Sequence, residues 1–330
     1  MDSTLKQFTS RKEILMENHT LVSIALCTYN GARFLREQLD TLVSQTYENI
    51  EIIAVDDCST DGTFEILEAY AGKYPQIKVF RNQQNLGFIQ NFDLSVRLCT
   101  GSLIALCDQD DLWHPRKIEL QVNAIGENVF IYHDSEFIHQ DGTSMNRKMS
   151  DLMNLYRGGN PEVFLFFNCI SGHTILMKRE LLDYALPMNN KYFHDWWLAY
   201  VATNIGEIDF IPECLVKYRQ HDKSETNILQ ISRSKDNYKL SSYQHFDKTL
   251  NWLYYCSAFK ANKNHVLIDQ IYQAYKQRLS SFVSFKLSVL FFSHWEKIFY
   301  VKKKSAFSKL NYIRKQMFGF NSKNIVKSAF

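Results

Sequence analysis

The sequence predicts an α/β fold in which a mostly parallel sheet carries helices on both faces, followed by a helical carboxy-terminal region. Four apolar runs without polar alternation are separated by amphipathic helical segments, and such runs are typical of strands buried on both faces. The last 118 residues contain no proline and a single glycine, Gly319, a composition that favours helices.

The apolar runs define the predicted strands of the first half, which are residues 22–26, 50–55, 77–80 and 103–107. The helices between them are marked by apolar residues three or four apart, such as Leu35, Leu39 and Leu42. Pro115 stands where the first residue of another helix is expected. Because ligands bind outside the carboxyl ends of parallel strands, we expect the functional site at that edge of the sheet.

The second half has a looser pattern. Extended segments are predicted at residues 130–133, 163–168, 208–211 and 214–218, the last two divided by Pro212. The segment FHDWWLAYVATNIG predicts a helix that begins near Asp195 and ends at Gly206, a residue type that favours helix ends.

The charge distribution divides the chain into two unlike parts. The net charge is +3, but residues 231–330 hold 18 Lys and Arg against 4 Asp and Glu, whereas the first 230 residues hold 20 against 31. The acidic balance of the larger part argues against a nucleic-acid partner.

Neither a secretory leader nor a membrane-spanning helix is expected. The first residues are polar, and the longest apolar segment, residues 282–292, is short and carries Lys286. The seven cysteines are scattered without a C-x-x-C pair, which indicates free thiols in a reducing cytoplasm rather than disulfides or zinc ligands.

The segment LIALCDQDDLWHP ends a predicted strand with Asp108, Asp110 and Asp111, three carboxylates in four positions. No glycine-rich phosphate motif occurs, so a phosphorylated ligand would need a hard divalent cation to meet its charge. Asp108 and Asp110 can face the same way along an extended segment and hold that cation. The alternative interpretation is a solvated turn that caps the next helix.

Asp56 and Asp57 end the second strand and allow two interpretations. Together with Ser59 and Asp61 they are typical of a turn that starts a helix. Alternatively, one carboxylate accepts a hydrogen bond from the imide N–H of uracil or thymine, with Tyr29 against the base. We assign Asp61 to capping and Asp57 to ligand binding.

Three segments together resemble the family 2 glycosyltransferases of the GT-A fold: VSIALCTYNGARFLREQLDTLVSQTYENIEIIAVDDCSTDGT, then NLGFIQNFD, then CDQDDLWHPRKI. The likeness covers roughly residues 20–125 and weakens from 126 to 225. The segments HDWWLAYVA and LVKYRQHDKSETNI resemble the bacterial rhamnosyltransferases of this family, in which a YRQH segment closes the catalytic domain.

The resemblance implies a nucleotide site on matching positions, formed by Cys27, Tyr29, Asp56, Asp57 and Asp108. Asp57 would read the base and Asp56 would support it, while Cys27 stands where relatives more often have Thr or Ser. Asp108 and Asp110 would form the D-x-D motif that binds Mg²⁺ or Mn²⁺, with Asp110 the more direct ligand. His221 would reach the metal or the diphosphate, and a structural role is the alternative.

The resemblance also implies a catalytic base, Asp195, at the position of the acid that inverting relatives keep in an ED pair. His194 replaces the usual Glu, which leaves the role of that partner open. The residues expected near the donor or acceptor sugar are Asp111, Trp113, His194, Trp196 and Arg219. A structural salt bridge is the alternative role for Arg219, and one of Trp196 and Trp197 is expected in the core. Gly172 and His173 are expected along the acceptor cleft.

The expected protein is an inverting, metal-dependent glycosyltransferase that extends a bacterial cell-surface glycan, with dTDP-L-rhamnose as the suggested donor. It would comprise an extension at residues 1–19, a catalytic domain at 20–225 and a basic, aromatic-rich helical region at 226–330. The catalytic domain would divide into a nucleotide-binding half (20–125) and an acceptor half (126–225). The alternatives are a UDP-hexose-dependent enzyme of the same fold, a nucleotidyltransferase and an inactive sugar-binding module.

The carboxy-terminal region carries an apolar stripe at helical spacing, formed by Leu287, Leu290, Phe291, Trp295 and Ile298, with lysines nearby. Such a helix suits the surface of an anionic membrane and would bring the enzyme to a lipid-linked acceptor on the cytoplasmic face. The alternative is that the stripe packs on the catalytic domain and the lysines are solvated.

Overall fold

The computed structural model of the chain describes residues 20–221 and 242–318. Its strands are β1 (Val22–Thr28), β2 (Ile50–Asp56), β3 (Ile77–Arg81), β4 (Leu103–Cys107), β5 (Leu112–Trp113), β6 (Phe130–Ile138), β7 (Ser144–Lys148), β8 (Leu176–Lys178) and β9 (Ile208–Arg219).

The α-helices fall into two groups. Those of the α/β part are α1 (Ala32–Val43), α2 (Thr63–Lys73), α3 (Phe88–Leu98), α4 (Lys117–Ile125), α5 (Met149–Leu152), α6 (Leu182–Ala185) and α7 (His194–Ile205). Those of the carboxy-terminal region are α8 (Ser242–Ser257), α9 (His265–Lys276), α10 (Phe285–Ser293), α11 (Trp295–Ile298) and α12 (Ala306–Met317). Short 3₁₀ turns lie at Pro161–Phe164, Gly172–Thr174, Arg179–Leu181 and Gln277–Leu279.

Within the described residues the strands form one sheet in the order β3-β2-β1-β4-β8-β6-β9-β5, with β7 on β6. The first four of these strands are parallel, β8 runs antiparallel to both neighbours, and β6 and β9 are parallel again. Hydrophobic clusters cover both faces of the sheet, which is the arrangement that apolar, non-alternating strands require. The predicted fold class is confirmed.

The sequence predicted the first four strands to within two residues of their ends, and the helix that ends at Gly206. The strand expected at 163–168 is wrong, because Pro161 starts a 3₁₀ turn there. The two extended pieces divided by Pro212 are one strand, β9. Its pairing with β6 jumps from Ile211 to Cys214, so Pro212, which has no N–H to give, sits in the irregularity.

The carboxyl ends of β1, β2 and β4 meet at one edge, because Thr28 lies opposite Asp56 and Leu26 lies opposite Cys107. The chain segments that follow these residues therefore leave the sheet side by side. This register brings the aspartates after β2 and the aspartates after β4 to the same surface.

The carboxy-terminal helices pack onto the α/β part and share its larger core. Leu287, Phe291 and Ile298 are fully buried in the cluster that also contains residues of β4, β6 and α7. The polar side chain of Glu162 joins the two parts, accepting a hydrogen bond from Asn264 and pairing with Lys297 at 3.5 Å. The prediction that this apolar stripe faces a membrane is wrong, since α10 and α11 bury Leu287, Phe291 and Ile298 against the enzyme. No helix among the described residues has both the length and the hydropathy needed to span a bilayer.

Candidate active site

Two cavities open at the carboxyl edge of the sheet. The first has a volume of about 600 Å³ and is lined by the ends of β1 and β4, the start of α3 and His221. The second, of about 330 Å³, lies between α5, the 168–173 segment and the start of α7. Phe88, Asp108 and Tyr218 line both cavities, so the two spaces meet at the end of β4.

Asp57 lies in the first cavity with its side chain held by the loop that precedes α3. Its Oδ1 accepts hydrogen bonds from Asn82 Nδ2 (2.7 Å) and from the amide of Leu86 (2.8 Å), and Oδ2 accepts from the amide of Gly87 (2.8 Å). Asn82 also donates to Asn91, which lines the same cavity. The carboxylate is therefore fixed in position, with lone pairs left for a donor on a ligand.

Asp56 is fully buried and supports this wall from behind. It accepts hydrogen bonds from the Thr28 hydroxyl (3.0 Å) and from the amide of Ser59 (2.9 Å), and it pairs with Arg81 at 3.5 Å. Cys27, also buried, lines the cavity at the end of β1. Asp57 therefore lines the cavity, whereas Asp56 stabilises the turn that follows β2.

Tyr29 is 46% exposed at the mouth of the first cavity, and Gln109 fixes its backbone. The Gln109 side chain accepts from the amide of Tyr29 (2.8 Å) and donates to its carbonyl (3.0 Å). A β-carbon at Gly31 would lie 2.0 Å from Gln109 Oε1, so this close approach requires glycine.

Asp110 and His221 form a pair that faces the first cavity. Nε2 of His221 lies 2.7 Å from Oδ2 of Asp110, and the imidazole packs against Phe34 with 5.1 Å between ring centroids. Carboxylates are the protein ligands that suit Mg²⁺ and Mn²⁺, and neighbouring Asp108 adds a second one beside Asp110.

A second group of potential ligands lies behind this pair. Single ligand atoms of Asp108, Asp111 and His173 all lie within 4.8 Å of one another. Oδ2 of Asp111 and Nε2 of His173 are buried without a hydrogen-bond partner in the described part of the chain. Burial raises the pKa of Asp111, and the charges of Asp110 and Asp108 raise it further. These residues fit a divalent cation, because it would neutralise the two crowded carboxylates of Asp108 and Asp111.

Asp195 lines the second cavity at the start of α7, and it is half-buried. Burial raises the pKa of its carboxyl group to about 7, and the charge of Asp108 adds to this rise, although the amide of Trp196, 2.6 Å from Oδ1, opposes it. A carboxylate with this pKa is matched to proton transfer near neutral pH.

His194 lies beside Asp195 but is packed as an aromatic ring. It stacks on Phe92 with 4.3 Å between ring centroids, and burial lowers its pKa to about 4, so the ring is neutral. Neither ring nitrogen has a hydrogen-bond partner among the described residues. A β-carbon at Gly172 would lie 2.8 Å from Nε2, which explains why the segment facing this ring has glycine there.

Three residues expected near a sugar line neither cavity: Trp113, Arg219 and Asp111. Trp113 is 3% exposed and lies in the smaller of the two hydrophobic clusters that cover the sheet. The Lys117 ammonium lies 3.5 Å from the centroid of its ring. Arg219 is 1% exposed, and its guanidinium group joins three separate segments of the chain. It donates to the carbonyls of Asp110 and Gln140 at 2.8 Å each and pairs with Glu37 at 2.8 Å.

Of the two tryptophans on α7, one lies in the core, as expected. Trp197 is buried and donates to the carbonyl of Ala185 (2.8 Å), whereas Trp196 lines the second cavity and donates to the carbonyl of Phe164 (2.6 Å). Gly172 and His173 line the same cavity. Asp111 does not line it, because its buried carboxylate accepts from the amide of Arg219 (3.0 Å).

The sequence reasoning missed residues that shape the site. Tyr218 stands between the cavities, and its signal was its place directly before Arg219 in the YRQH segment. Phe88, the first residue of α3, also lines both cavities, and Arg33 on α1 lines the first cavity. Gln109, which lies between Asp108 and Asp110, is a further such residue, since its side chain holds the Tyr29 backbone.

Comparisons with known proteins agree with this arrangement. Residues 23–185 match the family described as Glycosyl transferase family 2. An uncharacterized glycosyltransferase of Haemophilus influenzae is 28% identical over 284 residues, which cover 79% of this chain and 87% of that protein. Another, of Rickettsia typhi, is 32% identical over 220 residues, which cover 63% of this chain and 66% of that protein.

Solved structures share the fold at low identity. The S. aureus TarS fragment 1–349 in complex with UDP has a TM-score of 0.55 and 18% identity, covering 81% of this chain and 74% of that one. The same fragment with UDP-GlcNAc has a TM-score of 0.56 and 16% identity, covering 84% and 81%. The chain thus carries a family 2 glycosyltransferase domain with the GT-A fold, and the protein is a glycosyltransferase.

Proposed function

We propose that the first cavity binds the nucleoside diphosphate of a sugar donor, with Asp57 accepting from the imide of a pyrimidine base. Tyr29 and Cys27 would flank the nucleoside, and the fixed position of the Asp57 carboxylate favours this role because it loses little entropy on binding. S. aureus TarS, which shares the fold, was solved with UDP-GlcNAc.

Mg²⁺ or Mn²⁺ would be held by Asp110 and His221, which face the donor cavity, with Asp108 as a further ligand. A bound cation would supply Lewis-acid stabilisation of the departing diphosphate. Asp111 and His173, behind this pair, would orient the ligands, and Arg219 would fix the 110–111 backbone.

The transfer itself would depend on Asp195. Its carboxylate would take the proton of an acceptor hydroxyl in the second cavity as that oxygen bonds to the anomeric carbon. The bond from the anomeric carbon to the diphosphate oxygen breaks on the opposite side, and the electron pair leaves with the nucleoside diphosphate. One displacement inverts the anomeric configuration and needs no second carboxylate close to the anomeric carbon. Trp196 would form an apolar wall for the acceptor sugar, and the neutral ring of His194 would shield the base from water.

The observation that carries this proposal is the shared wall at Asp108. The donor-side cavity and the cavity of Asp195 meet there, so a sugar attached to a diphosphate in one space can reach a base in the other. A nucleotidyltransferase would instead need several basic residues after β1. Among the described residues that line the first cavity, Arg33 is the one arginine or lysine, which favours the glycosyltransferase.

The test is the substitution Asp195→Asn, with Asp183→Asn on α6 as the exposed control. Transfer should fall by about 10²–10⁴-fold while donor binding, measured calorimetrically with Mn²⁺, stays within about twofold. A near-wild-type transfer rate for Asp195→Asn would refute the assignment of the base.

For the substrate, the proposed donor is dTDP-L-rhamnose and the proposed acceptor a hydroxyl of a bacterial cell-surface glycan, held on a lipid at the cytoplasmic face of the membrane. The support is the likeness of the HDWWLAYVA and YRQH segments to rhamnosyltransferases. A thermal-shift screen of nucleotide sugars with Mn²⁺ tests this, because a bound donor stabilises the fold. Stabilisation by UDP-sugars alone would overturn the thymidine preference in favour of a UDP-hexose donor.

Peripheral membrane contact would use the outer face of α10 rather than its buried stripe. Phe285, Val289 and Phe292 follow one another at helical spacing and are 69%, 61% and 53% exposed. Phe285→Ser/Phe292→Ser should abolish co-sedimentation with phosphatidylglycerol vesicles, and equal sedimentation of the variant and the wild type would exclude this face.

A further inference from the structure

A third cavity lies among the carboxy-terminal helices and is lined by lysines. It is separate from the two cavities of the candidate active site. Its volume is about 210 Å³, and the lysines are Lys302, Lys304, Lys309 and Lys315. Phe167, Phe299 and Tyr312 form its aromatic floor, and Ser308 and Asn311 add polar groups. We call this space the lysine cavity.

The positive charge of the lysine cavity is not balanced by protein carboxylates. None of its four ammonium groups has a carboxylate within 4.0 Å in the part of the chain that the structure describes. By contrast, Lys297 on α11 pairs with Glu162. The contacts made by two of the four are with rings: Lys302 lies 4.5 Å from the Phe167 centroid and Lys309 lies 5.8 Å from that of Trp295.

Crowding of these charges is visible at Lys302. Burial lowers the pKa of its ammonium group, and the charge of Lys304 lowers it further. An anion between them would relieve both effects, because it would attract each ammonium and replace part of the lost hydration. The geometry therefore suits a ligand that brings at least two negative charges.

The lysine cavity adjoins the cavity of Asp195 through shared chain segments. Phe167 lines the lysine cavity and the next residue, Asn168, lines the catalytic one. Lys302 forms a β-bridge with Met153, another residue of the catalytic cavity. The amide of Asn154 donates to the carbonyl of Val301 (3.0 Å), and Lys303 donates to the carbonyl of Ser150 (2.7 Å). Adjacent residues of the same chain segments thus line the two cavities.

We propose that the lysine cavity binds a phosphate group carried by the acceptor, so that the acceptor is a phosphorylated or diphosphate-linked glycan. This inference rests on the proposed function, since it places the acceptor in the cavity of Asp195. Phosphate fits better than a single carboxylate because it carries up to two charges and offers several oxygens to converging ammonium groups and to the Ser308 hydroxyl.

The test compares two double variants of equal net charge. Lys304→Gln/Lys315→Gln removes two exposed ammonium groups of the cavity, and Lys276→Gln/Lys286→Gln removes two exposed ammonium groups outside it. Binding of inorganic pyrophosphate is measured by calorimetry at low salt with EDTA, which keeps divalent cations out of the donor site. The dissociation constant should rise at least tenfold in the cavity variant and stay within about twofold in the control.

Equal affinity in all three proteins, or no saturable binding to the wild type, would overturn the proposal. Competition of phosphatidylglycerol vesicles with pyrophosphate would assign the site to a membrane headgroup and overturn the acceptor assignment, whereas indifference to vesicles supports it. Donor hydrolysis by the wild type with Mn²⁺, measured separately, tests the proposed function alone, because the pyrophosphate assay needs neither donor nor metal.

Discussion

Nε2 of His221 lies within hydrogen-bond distance, 2.7 Å, of the Asp110 carboxylate oxygen Oδ2, although 111 positions of sequence separate the two residues. The contact joins the end of β9 to the segment after β4, and Arg219 clamps the same segment from below. A residue that follows β9 therefore completes the carboxylate-rich edge formed by the segment after β4.

The contact between His221 and Asp110 predicts that replacing His221, which lies outside the D-x-D motif, changes the metal concentration that the enzyme requires. His221→Gln should raise the Mn²⁺ concentration needed for half-maximal transfer by about 10–100-fold, the range found when groups around a metal are removed. Exposed His139→Gln is the matched control and should leave that concentration unchanged. An unchanged Mn²⁺ requirement in His221→Gln would remove His221 from the metal site.

The pKa of about 7 at Asp195 predicts the pH dependence of the reaction. The base acts only when it is deprotonated, so kcat/KM should rise tenfold per pH unit below about 7 and level off above it. A plateau extending down to pH 5 would contradict this role for Asp195.

The same pKa predicts an effect on stability. It is raised above the ordinary value of 3.8, so between about pH 4 and pH 7 the folded state binds more protons than the unfolded state. Stability contributed by this group therefore falls as pH rises through that window. Asp195→Asn should lose this fall and melt a few degrees higher than the wild type at pH 8, whereas Asp183→Asn should melt like the wild type at both pH 5 and pH 8.

Gly31 predicts a donor-binding defect without loss of folding. Its φ of −105° suits any residue, so an added methyl group acts only through Gln109, which it would push off the Tyr29 backbone. Gly31→Ala should raise the KM for the donor by about tenfold, a loss near the ~1 kcal/mol of a typical hydrogen bond. Gly72→Ala, with open space around its β-carbon, should bind the donor normally.

The two faces of α10 predict opposite effects on stability. Leu287 is fully buried, so Leu287→Ala should cost about 2–5 kcal/mol of unfolding free energy, measured by urea denaturation. Val289, 61% exposed on the same helix, should change stability by less than about 0.5 kcal/mol when replaced by alanine. Equal, small effects would mean that α10 does not belong to the enzyme core.

The sequence was sufficient where local pattern and burial coincide. Four apolar runs became the strands β1 to β4, and the aspartates that follow β2 and β4 met at one edge because parallel strands end together. Asp57, Asp110 and Asp195 were all named from the sequence, and all three line the two joined cavities.

Only the tertiary structure decided which neighbour each side chain meets. Periodicity marked one apolar face of α10, but the partner of that face is the enzyme core, and the outward face is apolar as well. Arg219 and Trp113 carry chemistry that suits a sugar site, yet both are buried among residues distant in sequence. Spacing along a chain fixes which residues share a face, whereas the identity of what covers that face depends on contacts between segments that the local pattern does not encode.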